Sequence, residues 1–312
     1  MVTELVLVAV GNTTTRLARA SMKADASRGE MQPSRVMPNS DPHAIELAVI
    51  ALADTLEADS SRILVASTND SVADALISKL REAAARSQAA GAGLARVIRV
   101  TADPTQGLAV PMQTTLSETA STKVGVDRLL GALAAFDRTK GQCIVIDAGT
   151  AITVNYVDKW GVFGGGLIAP GLRAMLSVMH ASTDKLPVVE LPTDVAGVPS
   201  GPLGKDTREA MLLGAIEAAR GLAHRSIDTI ALAVGSYPRI IATGGDAALL
   251  FSSDELIEHI VPDLVLMGLH AAWSRAEGGE IAGAGARAAD GDDEDMAEDE
   301  SEEEMELDAE DQ

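Results

Sequence analysis

Two acidic residues and an arginine stand at the ends of apolar runs in this chain. Asp127 and Arg128 follow Gly125 at the predicted start of a helix, and Asp147 closes the apolar run 143–146. A carboxylate can accept a hydroxyl proton, and a guanidinium can bind an anion through two parallel hydrogen bonds. The structural alternative is an acidic residue that stabilises the first helical turn, with the arginine in solvent. Taken alone, the dipeptide is weak evidence for catalysis.

Glycine turns with polar neighbours follow two of the apolar runs. They are Gly11-Asn12-Thr13 and Gly149-Thr150, with Thr153 three residues beyond the second turn. Glycine lets backbone N–H groups approach an anion closely, and hydroxyl groups add donors. Asp147 cannot hold a phosphate directly because like charges repel, but a carboxylate can bind a hard cation. The alternative is an ordinary strand-end turn with a capping Asp, and the Asp147 turn alone favours that alternative.

Two later segments combine glycine with polar side chains. Lys205 and Thr207 precede a predicted helix, where capping explains them adequately, although Lys205 could also meet an anion. Thr243-Gly244-Gly245 ends a strand and leaves room for a flat ligand against the backbone, but an isolated Gly-Gly pair has little specificity. The five histidines show no metal-ligand spacing, which favours structural roles for them.

The acidic charge of the chain is concentrated at one end. The 312 residues carry a net charge of −21, and the part from Glu277 onward accounts for −16 of it. The sequence therefore predicts a mildly acidic folded part and a disordered acidic tail over 276–312. No basic stripe is present, so we expect neither a nucleic-acid partner nor an anionic membrane.

Composition narrows the class of protein further. Apolar residues make up 46% of the chain and aromatic residues 2%, which suits sheets covered by Ala-rich helices. Cys143 is the only cysteine and lies in an apolar run, so a buried thiol is favoured over a nucleophile. The chain begins without a basic leader and lacks an apolar stretch of about 20 residues, so a cytoplasmic location is expected.

Apolar runs and amphipathic stretches alternate along the chain. Strands are predicted at 5–10, 13–20, 62–66, 97–100, 143–147, 151–157, 162–168 and 239–242. Helices are predicted at 41–56, 72–84, 127–134, 172–180, 206–224, 254–260 and 262–273. Apolar residues show no regular spacing over 101–122. We predict that this stretch forms the crossing between domains 1–120 and 121–275. The same order of elements occurs twice along the chain: a strand, a glycine turn, a hairpin, a helix and a strand. This repeat predicts a duplicated α/β fold with ligands between the halves.

In order and combination, these segments resemble the type III pantothenate kinases of the acetate kinase/sugar kinase/Hsp70/actin superfamily. The resemblance covers residues 1–273 and is densest from 124 to 273. The matching segments are Gly11-Asn12-Thr13, Gly125-Val126-Asp127-Arg128, 147–153, 165–171, Gly204-Lys205-Asp206-Thr207, 241–245 and 263–269. It implies two duplicated actin-like (ribonuclease H-like) domains with the ligand cleft between them.

The resemblance also implies an activity, which is ATP-dependent phosphorylation of pantothenate to 4'-phosphopantothenate, the first step of coenzyme A biosynthesis. Members of the family are homodimers that need Mg²⁺ and a monovalent cation, K⁺ or NH4⁺. By this resemblance Asp127 is the general base, and Asp147 binds the monovalent cation. Pantothenate is held by Gly125 and Arg128, with Thr207 reaching over from the second subunit. The implied ATP-binding residues are Gly11, Asn12, Thr13, Thr150, Thr153, Gly244 and Gly245.

The chain departs from the family pattern at two places. Ala9 stands two residues before Gly11, where the family has an Asp near the phosphates and the magnesium. The stretch 113–123 is long, polar and free of tyrosine, whereas the family has a shorter approach with tyrosine and proline. Ala9 keeps open a second hypothesis, a non-catalytic relative that acts as a ligand-binding or regulatory module. The presence of Asp127, Arg128 and Asp147 favours the kinase.

Overall fold

The first half of the chain forms a six-stranded sheet. The computed structural model describes residues 2–23, 30–54, 56, 61–89 and 96–277, so the predicted tail lies outside the described residues from 278 onward. Strand order is β3-β2-β1-β4-β5-β6, with β1 antiparallel to β2 and parallel to β4. The elements are β1 (Val2–Val10), β2 (Thr14–Lys23), β3 (Arg35–Pro38), α1 (Pro42–Ala53), β4 (Ser61–Ser67), α2 (Asp70–Ala89), β5 (Arg96–Thr101) and β6 (Leu108–Ala109).

The second half forms a five-stranded sheet that repeats the opening of the first. Strand order is β11-β10-β7-β8-β9, with β7 antiparallel to β8 and parallel to β10. The elements are β7 (Cys143–Ala148), β8 (Ala151–Val157), β9 (Phe163–Pro170), α5 (Leu172–Ala181), α6 (Thr207–Val234), β10 (Arg239–Thr243), α7 (Ala247–Phe251) and β11 (His259–Ile260). The predicted α/β class with two duplicated actin-like halves is confirmed.

Two helices lie between the sheets and pack against each other. They are α4 (Val126–Thr139) and α8 (Leu264–Glu277), with the short α3 (Glu118–Ser121) before them. One hydrophobic cluster joins Leu5 and Leu7 of β1 to Leu130 of α4 and Leu269 of α8. A Cβ at Gly268 would lie 2.2 Å from the Leu130 carbonyl oxygen, so only glycine permits this helix approach. Val145 of β7 belongs to the same cluster, so both halves contribute to it, and the domain division at residue 120 stays a prediction.

The lone cysteine lies in the same core. Cys143 is fully buried, and burial raises the pKa of its thiol to about 12. The thiol is therefore protonated near neutral pH and cannot act as a thiolate nucleophile, in line with the structural role expected from the sequence.

One predicted helix is wrong. Residues 254–260 form a turn and β11, because the Asp254 carboxylate accepts the Leu256 N–H at 3.0 Å and the Ile240 carbonyl accepts the Glu258 N–H at 3.1 Å. The helical turn comes earlier, at Ala247–Phe251. The crossing 101–122 also holds short elements, and its Gln113 carbonyl accepts the Phe163 N–H at 2.8 Å. No helix in the described ranges is long and apolar enough to cross a membrane.

Candidate active site

Asp127 lies in the first turn of α4, where helix geometry turns its carboxylate back toward the N-cap. The Arg128 N–H donates to Asp127 Oδ1 at 2.8 Å. A Cβ on the N-cap residue Gly125 would lie 2.6 Å from that oxygen, so glycine leaves the space that the carboxylate occupies. Burial raises the pKa of Asp127, and hydrogen bonding and charge from Arg128 oppose the rise. The result is a base stronger than an exposed aspartate.

Arg128 is held in place by β8 and β9. Its Nε donates to Asn155 Oδ1 at 2.7 Å, and its guanidinium lies 5.6 Å from the centre of the Phe163 ring. Asn155 is 1% exposed and donates from Nδ2 to Thr153 Oγ1 at 2.9 Å. Sequence reasoning missed Asn155, although polar residues at 153 and 155 in an apolar strand alternate with the period of one strand face. The chain of bonds fixes a guanidinium beside Asp127.

Asp147 lies near the end of β7, between Thr153 of β8 and Thr243 of β10 in the strand register. The pKa of Asp147 is raised to about 6, chiefly by burial; the charge of Asp127 adds to the rise, and the charge of Arg16 opposes it. The two carboxylates and Arg16 therefore act on one another. We call this group of three charged side chains the charged cleft.

The glycine turns of the second half converge beside Asp147. The Thr150 carbonyl accepts the Gly171 N–H at 3.1 Å, and a Cβ at Gly171 would lie 2.6 Å from that oxygen. A Cβ at Gly244 would lie 2.5 Å from Asp147 Oδ1, and Gly244 has a φ of +97°. A Cβ at Gly245 would meet nothing within 4 Å. Gly244 therefore lies against Asp147 and Gly171 against Thr150, and the binding roles of these residues stay predictions.

The first glycine turn is held by hydrogen bonds from two other segments of the chain. The Gly11 N–H donates to the Thr14 carbonyl at 2.9 Å, and Asn39 Nδ2 donates to the Gly11 carbonyl at 2.8 Å. Asn69 Nδ2 donates to the Asn12 carbonyl at 3.4 Å. Asn12 and Thr13 are both exposed at the tip of the turn. A backbone held this way leaves the polar side chains of the tip exposed to solvent.

Ala9 and Arg16 form a cross-strand pair next to that turn. Ala9 packs with Leu5 and Leu7 on the sheet face toward α4 and α8, and strand alternation puts Arg16 on the same face. Arg16 Nη1 donates to Asp263 Oδ1 at 3.2 Å. The sequence analysis gave no role to Arg16 or Asp263, because their contact joins distant parts of the chain. The alternation of Arg16 with apolar neighbours in β2 was the available signal.

Thr207 is the sequence-predicted site residue that the structure leaves apart. It begins α6, whose cap Asp206 accepts the Glu209 N–H at 2.9 Å, while Glu209 Oε2 accepts the Lys205 N–H at 2.7 Å. Thr207 is exposed, and within the described part of the chain no hydrogen bond joins it to Asp127 or Arg128. Reciprocal helix capping accounts for the segment within one subunit.

The two ends of the cleft differ in how well they suit a cation. At Asp147 a partly buried carboxylate lies opposite two threonines in the strand register, and the negative charge of Asp127 acts on it, so this end offers oxygen atoms that suit a cation. At the first turn, Asn12 and Thr13 offer neutral oxygens, position 9 offers a methyl group, and Arg16 is a cation itself. Those residues do not fit a Mg²⁺ ion held by the protein. Across the described residues, no three His, Cys, Asp or Glu side chains form a metal-binding group.

The chain is similar in sequence to one family of kinases. The profile of the type III pantothenate kinases matches residues 5–229. A type III pantothenate kinase from Akkermansia muciniphila is 37% identical over 150 residues, which are 48% of this chain and 60% of that protein. One from Rhodopirellula baltica is 35% identical over 189 residues, 60% of this chain and 62% of that protein. The chain thus spans about 60% of the length of these curated relatives.

A solved structure supports the fold. The crystal structure of a conserved Baf family protein from Campylobacter jejuni aligns with 88% of this chain and 99% of its own, with a TM-score of 0.50 and 16% identity. At that identity the likeness concerns the backbone arrangement alone.

Proposed function

We propose that this chain, which belongs to the type III pantothenate kinase family, transfers a phosphoryl group from ATP to pantothenate, the first step of coenzyme A biosynthesis. The observation that carries the proposal is the juxtaposition of Asp127 and Arg128 with Asp147 in one charged cleft. The family profile covers the segments that supply all three residues.

Asp127 is the general base for the acceptor hydroxyl. Burial raises its pKa and so raises its proton affinity, while the Arg128 N–H keeps one oxygen oriented. The second oxygen is left to accept the hydroxyl proton as the new O–P bond forms. Proton transfer to a positioned base contributes about 10²–10⁴ in rate.

Arg128 and Gly125 hold pantothenate. The Arg128 Nε is already bonded to Asn155, which leaves the two terminal nitrogens for the carboxylate of the substrate. The Phe163 ring under the guanidinium limits its motion. Gly125 has no side chain to obstruct the approach to Asp127.

The nucleotide lies between the two sets of glycine turns. Gly11, Asn12 and Thr13 face its phosphates from the first half, and Thr150, Thr153, Gly244 and Gly245 from the second. Thr153 is 8% exposed and accepts a bond from Asn155, so its hydroxyl proton remains available for a phosphate oxygen. Phosphoryl transfer depends mainly on such positioning and on charge neutralisation.

Cations complete the proposed charge balance. Asp147 would hold a monovalent cation, K⁺ or NH4⁺, which offsets the repulsion between Asp147 and Asp127. Magnesium, the divalent ion that the family resemblance implies, has no first-turn carboxylate to bind here.

A homodimer would complete the acceptor site through Thr207 of α6. The edge strand β9 and the neighbouring α5 carry exposed apolar side chains, with Ile168 64% and Val178 62% exposed. We propose that this surface pairs two subunits and that the enzyme works in the cytoplasm. Light scattering should give twice the chain mass, and Ile168→Asp should shift it to one chain mass. A monomeric parent protein would overturn the dimer.

The activity is tested by ADP release with pantothenate, Mg²⁺ and K⁺. Asp127→Asn should lower kcat by about 10²–10⁴, because an amide cannot take the proton. Asp137→Asn is the matched control, since Asp137 lies in the same helix and pairs with Arg275 outside the cleft. A parent chain that binds pantothenate without releasing ADP would instead be the non-catalytic ligand-binding relative. Equal activity in Asp127→Asn would remove Asp127 from its role.

A further inference from the structure

Asn155 is a buried amide that lies between the two sides of the proposed reaction. It stands in β8 opposite Val145 of β7, on the sheet face that α4 covers. Its partner in β9 is Gly166, where a Cβ would lie 2.9 Å from the Asn155 Cα, so glycine lets the two strands lie this close. Because Asn155 is 1% exposed, protein groups rather than solvent must satisfy its amide.

The amide joins Arg128 to Thr153. Arg128 Nε donates to Asn155 Oδ1 at 2.7 Å, and Asn155 Nδ2 donates to Thr153 Oγ1 at 2.9 Å. Arg128 follows the proposed base Asp127 and is assigned to pantothenate, whereas Thr153 is assigned to the nucleotide. One side chain thus contacts a residue assigned to each substrate.

The direction of these two bonds follows from the groups that make them. A guanidinium only donates, so the amide oxygen must face Arg128 and the amide nitrogen must face Thr153. The Thr153 oxygen then accepts, and its own proton is left for a group other than the amide. The bond at Nε also fixes the plane of the Arg128 guanidinium, whose two terminal nitrogens stay available for an anion.

Arg128 depends on this contact because it is partly removed from solvent. Burial lowers the pKa of the Arg128 guanidinium, and the charge of Asp127 opposes the change. The Phe163 ring lies 5.6 Å from the guanidinium carbon. A buried donor without an acceptor is costly, so loss of the Asn155 oxygen should turn the guanidinium away from its present position.

We propose that Asn155 is a positioning residue for both substrates, because one orientation of its amide sets the Arg128 guanidinium for the pantothenate carboxylate and the Thr153 hydroxyl for the nucleotide. The proposal rests on the proposed function for the identity of the two ligands. It requires an amide at position 155. A carboxylate there would accept from both neighbours and take the Thr153 proton, and an apolar side chain would serve neither neighbour.

The competing interpretation is an amide that only stabilises the fold at a buried position. In that case substitutions of Asn155 should lower stability without separating the two substrates. In the positioning interpretation, a leucine and an aspartate at this position affect different substrates.

The experiment measures ADP release while pantothenate and ATP are varied in turn. Asn155→Leu keeps the branched shape without polar atoms and should raise the KM for pantothenate about 10–100-fold, because Arg128 loses its acceptor. Asn155→Asp should recover most of that loss, since a carboxylate oxygen still accepts from Arg128 Nε. The same variant should raise the KM for ATP about 3–10-fold, because the Thr153 proton turns toward position 155.

A double-mutant cycle tests the route through Thr153. Thr153→Val removes the hydroxyl group, so adding Asn155→Asp to it should raise the KM for ATP no further. A direct effect of the new negative charge would instead add in full to that of Thr153→Val. Full addition would contradict the role assigned to the Thr153 proton.

Gln142→Leu is the matched control for the loss of an amide. The Gln142 amide donates to Ser236 Oγ at 2.7 Å and accepts from Tyr156 Oη at 3.4 Å, and neither partner is a proposed substrate contact. Both KM values should be unchanged in this variant. Thermal unfolding of each variant separates altered positioning from poor folding. Should Asn155→Leu fail to fold, Asn155→Asp and its combination with Thr153→Val still decide the question.

Two kinetic results would overturn the inference. They are an unchanged KM for pantothenate in folded Asn155→Leu, and an ATP effect of Asn155→Asp that is the same with and without the Thr153 hydroxyl. An active enzyme whose KM values ignore Asn155 would retain the function and discard this role.

The kinase proposal fails separately, if the parent chain releases no ADP with pantothenate. Titration calorimetry with pantothenate then still tests the inference, which predicts weaker binding in Asn155→Leu than in the parent chain. Equal binding in the two chains, or no binding in the parent, would contradict it.

Discussion

The ends of β1 and β7 are equivalent in backbone and opposite in charge. In each half a strand runs into a glycine turn and returns as an antiparallel strand. The residue two positions before the glycine is Ala9 in the first half and Asp147 in the second, and their strand partners are Arg16 and Thr153. One strand end is therefore basic, and the other is acidic.

The difference shows that the two halves of a duplicated fold can suit ligands of opposite charge. Both turns supply backbone N–H groups, which suit an anion whatever the side chains are. The acidic end adds a carboxylate that suits a cation, and the basic end adds a guanidinium that suits a phosphate. A ligand that carries both phosphates and an associated cation matches the pair of ends better than either end alone.

The largest predicted effect concerns the backbone of the acidic end. Gly244→Ala should lower the free energy of unfolding by about 2–5 kcal/mol, because Gly244 has a φ of +97° and a Cβ there would lie 2.3 Å from the Ala148 carbonyl oxygen. Gly245→Ala is the adjacent control, since a Cβ at that position meets nothing within 4 Å. Urea unfolding measures both. Equal losses in the two variants would contradict the assigned packing.

The next effect concerns the charge of Asp147. Because folding raises its pKa from 3.8 to about 6, the folded state favours the protonated carboxyl, and this contribution to stability is lost as pH rises through about 6. Asp147→Asn should therefore raise the free energy of unfolding by up to about 3 kcal/mol at pH 7. The gain should vanish below pH 4, where the carboxyl is protonated in both states.

Urea unfolding at the two pH values, in buffer free of K⁺ and NH4⁺, measures this contribution. Added K⁺ should stabilise the parent chain and have a smaller effect on Asp147→Asn. The same gain at pH 4 and pH 7 would show that the charge of Asp147 is not the cause.

The smallest predicted effect is that of a substitution that makes the basic strand end resemble the acidic one. Ala9→Asp puts a carboxylate opposite Arg16, and cross-strand pairs of opposite charge interact at this separation. The added negative charge at the first turn should repel the nucleotide phosphates of the proposed function and weaken ATP binding in EDTA, measured by titration calorimetry, by about 2–5-fold. Ala9→Asn, similar in size but neutral, is the control in the same calorimetric titration. Equal weakening in both variants would indicate a steric effect instead.

Local pattern was sufficient to predict most of the elements. The apolar runs at 5–10 and 143–147 are strands because their side chains are buried on both faces of a sheet, and the glycine turns follow them as expected. The failure at 254–260 has a local cause that periodicity does not report. Asp254 bonds to its own backbone two residues on, which favours a turn over a helix.

The site was harder to predict from the sequence, because its residues come together only through strand register and packing. Asp127, Arg128 and Asp147 were chosen from their chemistry and order along the chain. Arg16 was missed because only the pairing of β1 with β2 puts it opposite Ala9. Asn155 was missed because its buried amide matters only when the side chain of Arg128 reaches it across the fold.

The position of α8 has a consequence for synthesis on the ribosome. The face of β1 that carries Leu5 and Leu7 is covered by α4 and α8, and α8 is translated last of these elements. At about 5–20 residues per second, roughly 10–50 s separate the emergence of β1 from that of α8. During that interval the nascent first sheet exposes an apolar face, so we expect chaperones to bind the unfinished chain.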